Sequence, residues 1–396
     1  MIQTVCEKNM CAGCNACVNV CSHNAIKIVD LLYAYNAVID EDLCVDCNAC
    51  RQLCQYNKDV NATFPLSWNQ GWAKSEEIRK NSSSGGAATA LAIAFIKKGG
   101  LVCSCTLREG EFKFEFANSL DDLKKFSGSK YVKSNPEGIY RIIREKLKEG
   151  EKVLFIGLPC QVAALKLFIG EKYENGLYTV DLICHGTPSP KLLEMYLSEN
   201  RFSLNNIRDI KFRKKTVFHL FNEYEEIGKK KTVDNYTFSF LSCLDYTENC
   251  YSCKYAKSER VSDITIGDSW GSELDSEEKK KGISLVLCQS KKGEKLLENS
   301  EMNLLSVDLD NAIKNNKQLQ YPSKKPEKRD KFFTYILDKN GFDKAVMKSY
   351  RMVFFKRRIR MIVKTILTKA KILQGGRRIN HMEYRILILP SKHDEK

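Results

Sequence analysis

The residues with the clearest chemistry are cysteines, and their spacing is written twice. Cys11-x2-Cys14-x2-Cys17-x3-Cys21 is followed by Cys44-x2-Cys47-x2-Cys50-x3-Cys54. Thiolates are soft, charged donors that select zinc or the irons of iron–sulfur clusters. Three thiols at two-residue gaps sit on one tight loop and can point at three corners of a single cube. The fourth, on the turn that follows, can be carried across to a second cube. Zinc held by four cysteines is the competing chemistry, but zinc sites seldom use a three-gap run repeated in tandem. The expected chemistry is one-electron transfer at [4Fe–4S] clusters.

The run resembles that of bacterial-type two-cluster ferredoxins, and the resemblance covers about residues 1–60. It implies that Cys11, Cys14, Cys17 and Cys54 hold one cluster, and that Cys44, Cys47, Cys50 and Cys21 hold the other. Between the boxes, Ala25-Ile26-Lys27-Ile28 and Ala37-Val38-Ile39-Asp40 alternate as two short strands. The proline that usually follows the fourth cysteine is Ser22 in one box and Gln55 in the other. That change loosens the exit turns and removes no ligand.

The chain has 396 residues, which predicts two or three domains, and its 43% hydrophobic content is enough for a sizeable core. No secretory leader is expected, because Met1-Ile2-Gln3-Thr4 runs straight towards the cysteine boxes. Cluster thiols must stay reduced, so the expected compartment is cytoplasmic. No apolar run approaches the ~20 residues needed to cross a bilayer. The formal charge of +15 invites nucleic acid or an anionic membrane. No nucleic-acid motif accompanies it, and nucleic acid is not an expected partner.

Stepping along the chain, residues 61–80, with Pro65, Trp68 and Trp72, suggest an ordered connector. Asn81-Ser82-Ser83-Ser84-Gly85-Gly86 precedes an apolar run from Ala87 to Ile96. Serines before such a run predict side-chain N-caps, and Lys97-Lys98-Gly99-Gly100 predicts the C-terminus. The start of that helix offers backbone N–H groups suited to a phosphate, or is simply a capping turn. From Leu101 to about Leu305, buried-strand runs such as Val153–Ile156, Val180–Ile183 and Ser284–Leu287 alternate with helical stretches such as Gly138–Lys148 and Lys191–Leu197. This is an α/β pattern.

Four phrases stand at loop starts within it: Gly128-Ser129-Lys130-Tyr131, Gly157-Leu158-Pro159-Cys160-Gln161, Cys184-His185-Gly186, and Cys250-x2-Cys253 before Asp263-Ile264-Thr265-Ile266-Gly267-Asp268. Spacing alone leaves Cys160, Cys184, Cys250 and Cys253 open as one shared site or as small buried hydrophobes. Together with Ser-Gly-Gly, these phrases resemble the coenzyme F420 hydrogenase/dehydrogenase beta-subunit family, which includes the plant 7-hydroxymethyl chlorophyll reductases. The resemblance covers about residues 75–310. It implies an FAD-binding domain with a third cluster on Cys160, Cys184, Cys250 and Cys253. It also gives Ser84, Gly85 and Gly86 the FAD pyrophosphate. Lys130 then stands near the phosphates or the flavin N1/C2 carbonyl, with a surface salt bridge as its alternative. His185 becomes a proton donor, or else a packing residue under the loop. Asp268 and Trp270 are expected to close a turn, and Cys6, Cys103, Cys105, Cys243 and Cys288 to be ordinary cysteines.

The expected class is α+β / α/β. A ferredoxin-like dicluster domain (1–62) is followed by an α/β flavin-binding domain (63–320) and a basic helical C-terminal tail (321–396). Lys324–Arg329 suggests a charged linker. Between Arg351 and Asn380 there are ten Lys/Arg and no acid. Met352, Phe355, Ile359, Ile362, Val363, Ile366, Ala370 and Leu373 recur there at helical spacing. That pattern suits an anionic membrane surface, a partner or the protein's own core.

The function expected is an FAD- and iron–sulfur-dependent oxidoreductase passing electrons between ferredoxin-type clusters and FAD, with coenzyme F420 or an organic molecule as substrate. A redox protein or reduced ferredoxin would be its partner. The alternative is a non-catalytic iron–sulfur carrier subunit of a larger, membrane-associated complex. The location expected is cytoplasmic, with peripheral attachment at the inner face of the membrane as the option the tail opens.

Overall fold

The computed structural model describes residues 3–228, 233–356 and 359. The cysteine-rich segment is built on a hairpin, β1 (Ile26–Asp30) and β2 (Tyr35–Ile39), paired antiparallel with Ile26 opposite Ile39. Each box ends in one short helix, Ala16–Val20 or Ala49–Gln52. Each also bends twice through left-handed backbone at matching places, Gly13 and Asn15 in the first box, Asp46 and Asn48 in the second. Gly, Asn and Asp visit that region at least cost, and the bends wrap each loop around its own cysteines.

The larger part holds an eight-stranded sheet. Its strands are β3 (Ser67–Ala73), β4 (Leu101–Arg108), β5 (Glu111–Ala117), β6 (Val153–Gly157) and β7 (Leu177–Leu182). A separate hairpin, β8 (Lys211–Lys214) and β9 (Val217–Phe221), follows. β10 (Ile264–Asp268), β11 (Ser284–Cys288) and β12 (Met302–Leu305) complete the sheet, in the order β12-β3-β11-β10-β7-β6-β4-β5. β10, β7, β6 and β4 are parallel neighbours, and the outer strands are antiparallel. Every residue of β6 and β11 is buried, as strands covered on both faces require. Helices Ile139–Lys148 and Pro159–Ile169 cover one face. Ala87–Lys97 and Lys291–Glu298 cover the other. The alternation in the sequence is thus that of a mixed α/β fold.

Three expectations are corrected. Residues 61–80 are more than a connector: Ser67–Ala73 is β3, between β11 and β12 in the sheet. Its polar Asn69 and Gln70 hid the strand. The helix after the serines is Ala87–Lys97, but its N-cap is Gly86 in left-handed backbone, with no side-chain cap. The serines are engaged elsewhere: Ser82 Oγ donates to Ile78 O and Ser84 Oγ to Ile283 O, while Ser83 Oγ accepts from Ser129 N–H.

The third concerns the stretch read as a charged linker. Arg329 is 2% exposed and donates to the carbonyls of Tyr33 and Tyr246. Helices Arg329–Leu337 and Phe342–Ser349 then pack with Pro190–Glu199, Asn235–Leu241 and the β8–β9 hairpin in one aromatic-rich core. The expected basic helix begins at residues 351–356, which are helical, and its apolar positions Ile362, Val363, Ile366, Ala370 and Leu373 lie outside the described residues.

Candidate functional site

The cysteine boxes enclose two cavities. Cys11, Cys14, Cys17 and Cys54 line one. Cys21, Cys44, Cys47 and Cys50 line the other, with His23 at its wall. The crossover expected of the fourth cysteine in each box is therefore present in the geometry. The cavities differ in depth: the first four cysteines are 6–8% exposed, whereas Cys47 is exposed to solvent. Burial pushes the Cys14 thiol up, and the neighbouring Cys11 and Cys17 add to it. A metal binds cysteine as the thiolate, so cluster binding must repay the cost of deprotonating Cys14. Four soft donors on each of two walls fit a four-iron cube. Among the described residues no three His, Cys, Asp or Glu side chains close on a single-ion point. A cube spreads its thiolates around a body instead.

Cys6, expected to be ordinary, lines the inner cavity as well. Thr4 and Val5 pair with β2 and carry it there, where the neighbouring Cys11 and Cys54 push its thiol pKa up. Its spacing from Cys11 matches no box, so nothing in the sequence pointed to it.

The other four motif cysteines also converge. Cys160 is the second residue of helix Pro159–Ile169, Cys184 follows β7, and Cys250 and Cys253 flank the end of the 3-10 turn Glu248–Ser252. Burial pushes the Cys184 thiol up, with Cys250, Cys160 and Cys253 adding their charges. Burial likewise raises Cys160 to about 12, while Lys133 pulls the other way. The Thr247 hydroxyl lies 3.5 Å from the Cys250 sulfur. This group adjoins the inner cavity, because Cys14 belongs to the apolar cluster against which Cys160 and Cys253 pack.

Polar contacts hold the two parts together. Arg141 donates to the Val18, Asn19 and Cys21 carbonyls at the end of helix Ala16–Val20. A cation there also opposes the helix dipole favourably. Asn15 Nδ2 donates to Asn135 at 2.6 Å, and Ser189 Oγ to Asp30 at 2.6 Å. Buried Tyr255 donates to Gln55 Oε1 at 2.7 Å, beside Cys54.

The remaining motifs meet at the C-terminal ends of β4, β6, β7 and β10, the edge where α/β sheets bind ligands. The Ser82–Gly86 turn lies there against the start of β11. Gly85 N–H donates to Ser284 Oγ at 3.1 Å, and a Cβ on Gly85 would come within 2.4 Å of Gly71 O. The glycine is thus required by the protein's own strands, and its donor is already engaged. Lys130 Nζ donates to the carbonyls of Phe126, Ser127 and Gly128 at 3.0–3.1 Å, and burial pushes its pKa down.

His185 is exposed, while protein packed around it lowers its pKa. Asp268 pairs bidentately with Arg213 at 2.7 and 3.0 Å, and both act electrostatically on His185. The next cation, Lys215, reaches the Ser84 carbonyl at 2.8 Å. Arg213 and Lys215 sit in a run of basic residues with no spacing signal, so only the fold reveals them.

Two four-thiol cavities docked on a mixed α/β domain define an iron–sulfur electron-transfer protein. Residues 10–58 match the 4Fe-4S dicluster domain. Residues 69–137 match the N-terminal segment, and 150–309 the C-terminal segment, of the coenzyme F420 hydrogenase/dehydrogenase beta subunit. The chain belongs to that family and carries a dicluster domain before it. Among solved structures it is similar to a chain of the F420-reducing [NiFe] hydrogenase complex from Methanosarcina barkeri, with 20% identity, a TM-score of 0.46, and 65% of this chain and 91% of that one covered. No curated protein matches.

Proposed function

We propose that the chain is an iron–sulfur flavoprotein oxidoreductase. Cys160, Cys184, Cys250 and Cys253 would hold a third cluster, and FAD would lie along the C-terminal edge of the parallel strands. The observation that carries this reading is convergence: the Ser82–Gly86 turn, His185 and the Arg213–Asp268 pair share that edge with the four cysteines. Those cysteines in turn adjoin the inner cavity of the dicluster domain. Bound there, a flavin would supply two-electron hydride chemistry joined to one-electron centres, with coenzyme F420 or an organic molecule as substrate. His185 is the candidate for moving a proton at that edge. Lys130 would serve the flavin only after giving up its three carbonyls.

The engaged Gly85 N–H and Lys130 ammonium favour a second reading, an iron–sulfur electron carrier without flavin. Anaerobic reconstitution separates the two. The flavoprotein reading expects about twelve irons per chain, four for each of three clusters. It also expects one FAD, whose absorbance bleaches with reduced coenzyme F420 or reduced ferredoxin. Eight irons, unchanged by Cys250→Ser with Cys253→Ser, and no retained flavin would establish the carrier instead.

A further inference from the structure

Lys133 stands between the inner cavity and the second group of cysteines. It is 3% exposed. Its Nζ donates to the Ala12 carbonyl, next to Cys11, at 3.1 Å and lies 5.2 Å from the centre of the Tyr35 ring. Its backbone N–H donates to Pro188 O at 2.9 Å, on the loop that leaves Cys184. The dicluster loop makes room for it: a Cβ on Gly13 would come within 2.6 Å of the Tyr35 ring and 3.1 Å of the lysine stem. Among the described residues this ammonium meets no carboxylate.

One carbonyl and one ring face do not compensate a buried ammonium, and such charges are normally paired or set against a metal site. Two cysteines, one from each side, lie within its electrostatic reach. Its charge favours the thiolates of Cys11 and of Cys160. A four-thiolate cluster is an anion whose potential follows the charge around it.

We propose that Lys133 is the shared counter-cation of two clusters, the inner one of the dicluster domain and the one on Cys160, Cys184, Cys250 and Cys253. It stabilises the reduced, more negative state of both and so raises the potential of each. This inference rests on the third-cluster reading above.

Redox titration of the reconstituted full chain, followed by electron paramagnetic resonance, tests it. Lys133→Met should retain about twelve irons while the potentials of both inner clusters move negative and that of the solvent-facing cluster stays in place. Lys133→Arg should restore both. Lys133→Gln keeps a donor for Ala12 without the charge, so it should shift like Lys133→Met. Unmoved inner potentials in a twelve-iron Lys133→Met protein, or a wild-type-like Lys133→Gln, would overturn the role while leaving the third cluster standing. Eight irons in the wild type would remove the third cluster and the sharing with it. If both uncharged variants lose iron, loss confined to the two inner sites supports the role, and equal loss from all sites overturns it.

Discussion

At the turn where Ser84 meets the start of β11, the half-buried ammonium of Lys215 is held by carbonyls of Arg79 and Ser84. Burial first, then the charges of Arg79 and Arg213, push its pKa down to about 8. A cation crowded by cations gains protonation when an anion arrives, so binding of a diphosphate should raise that pKa. The sign follows: affinity is full and flat below pH 8, and falls as pH rises above it, by up to about tenfold per unit for one linked proton. Titrating FAD into flavin-free protein from pH 7 to 9.5 should show this fall in the wild type, and weaker, pH-independent binding in Lys215→Met. A flat wild-type profile would place the diphosphate elsewhere. Residues such as Lys215, Lys133 and Cys6 were not legible in the sequence, because single lysines and an unspaced cysteine acquire meaning only through neighbours distant in the chain. The eight boxed cysteines were legible because cluster geometry constrains local spacing, which the sequence records directly.

Helices were read well where their apolar face is written locally, as in Ile139–Lys148, and poorly where partners lie far along the chain. Arg329–Leu337 and Phe342–Ser349 look like a charged appendage in sequence, yet Phe332 and Phe342 are fully buried against each other, and Phe342 also packs against Tyr196 and Tyr236. β3 was missed for a similar reason, since its pairing with β11 and β12 outweighs its polar residues. Phe342→Ala should cost about 3–5 kcal/mol, the usual loss for a truncated core aromatic, read as a lower denaturant midpoint. A chain ending at Lys325 would uncover the whole aromatic core, so it should aggregate or fail to retain iron, whereas one ending at Lys356 should match the full chain in both. Wild-type iron content and midpoint in the shorter chain would show that these helices are dispensable.

Across the whole molecule, the cysteine sites differ in depth: Cys47 is exposed, the inner four are buried, and the last group is half-buried against the core of the α/β domain. The excess charge belongs to another part. Of the residues between Arg351 and Asn380, ten are Lys/Arg and none is acidic, in a chain of net +15. The first turns of this stretch already divide their apolar residues. Val353 and Phe354 pack on the aromatic core, while Met352, Phe355 and Ile359 are 66%, 59% and 44% exposed. Among the described residues no helix is long and apolar enough to cross a membrane. An anionic bilayer surface would cover such apolar groups and attract the cations together, each worth about 1 kcal/mol near the surface and screened by salt. The full chain should therefore co-sediment with vesicles of anionic lipid at low salt, bind neutral vesicles weakly, and be released by high salt without detergent. A chain ending at Lys356 should keep its iron and lose most of that binding. Equal sedimentation of the two chains, or none by either, would assign the basic stretch to a protein partner or to the protein's own core.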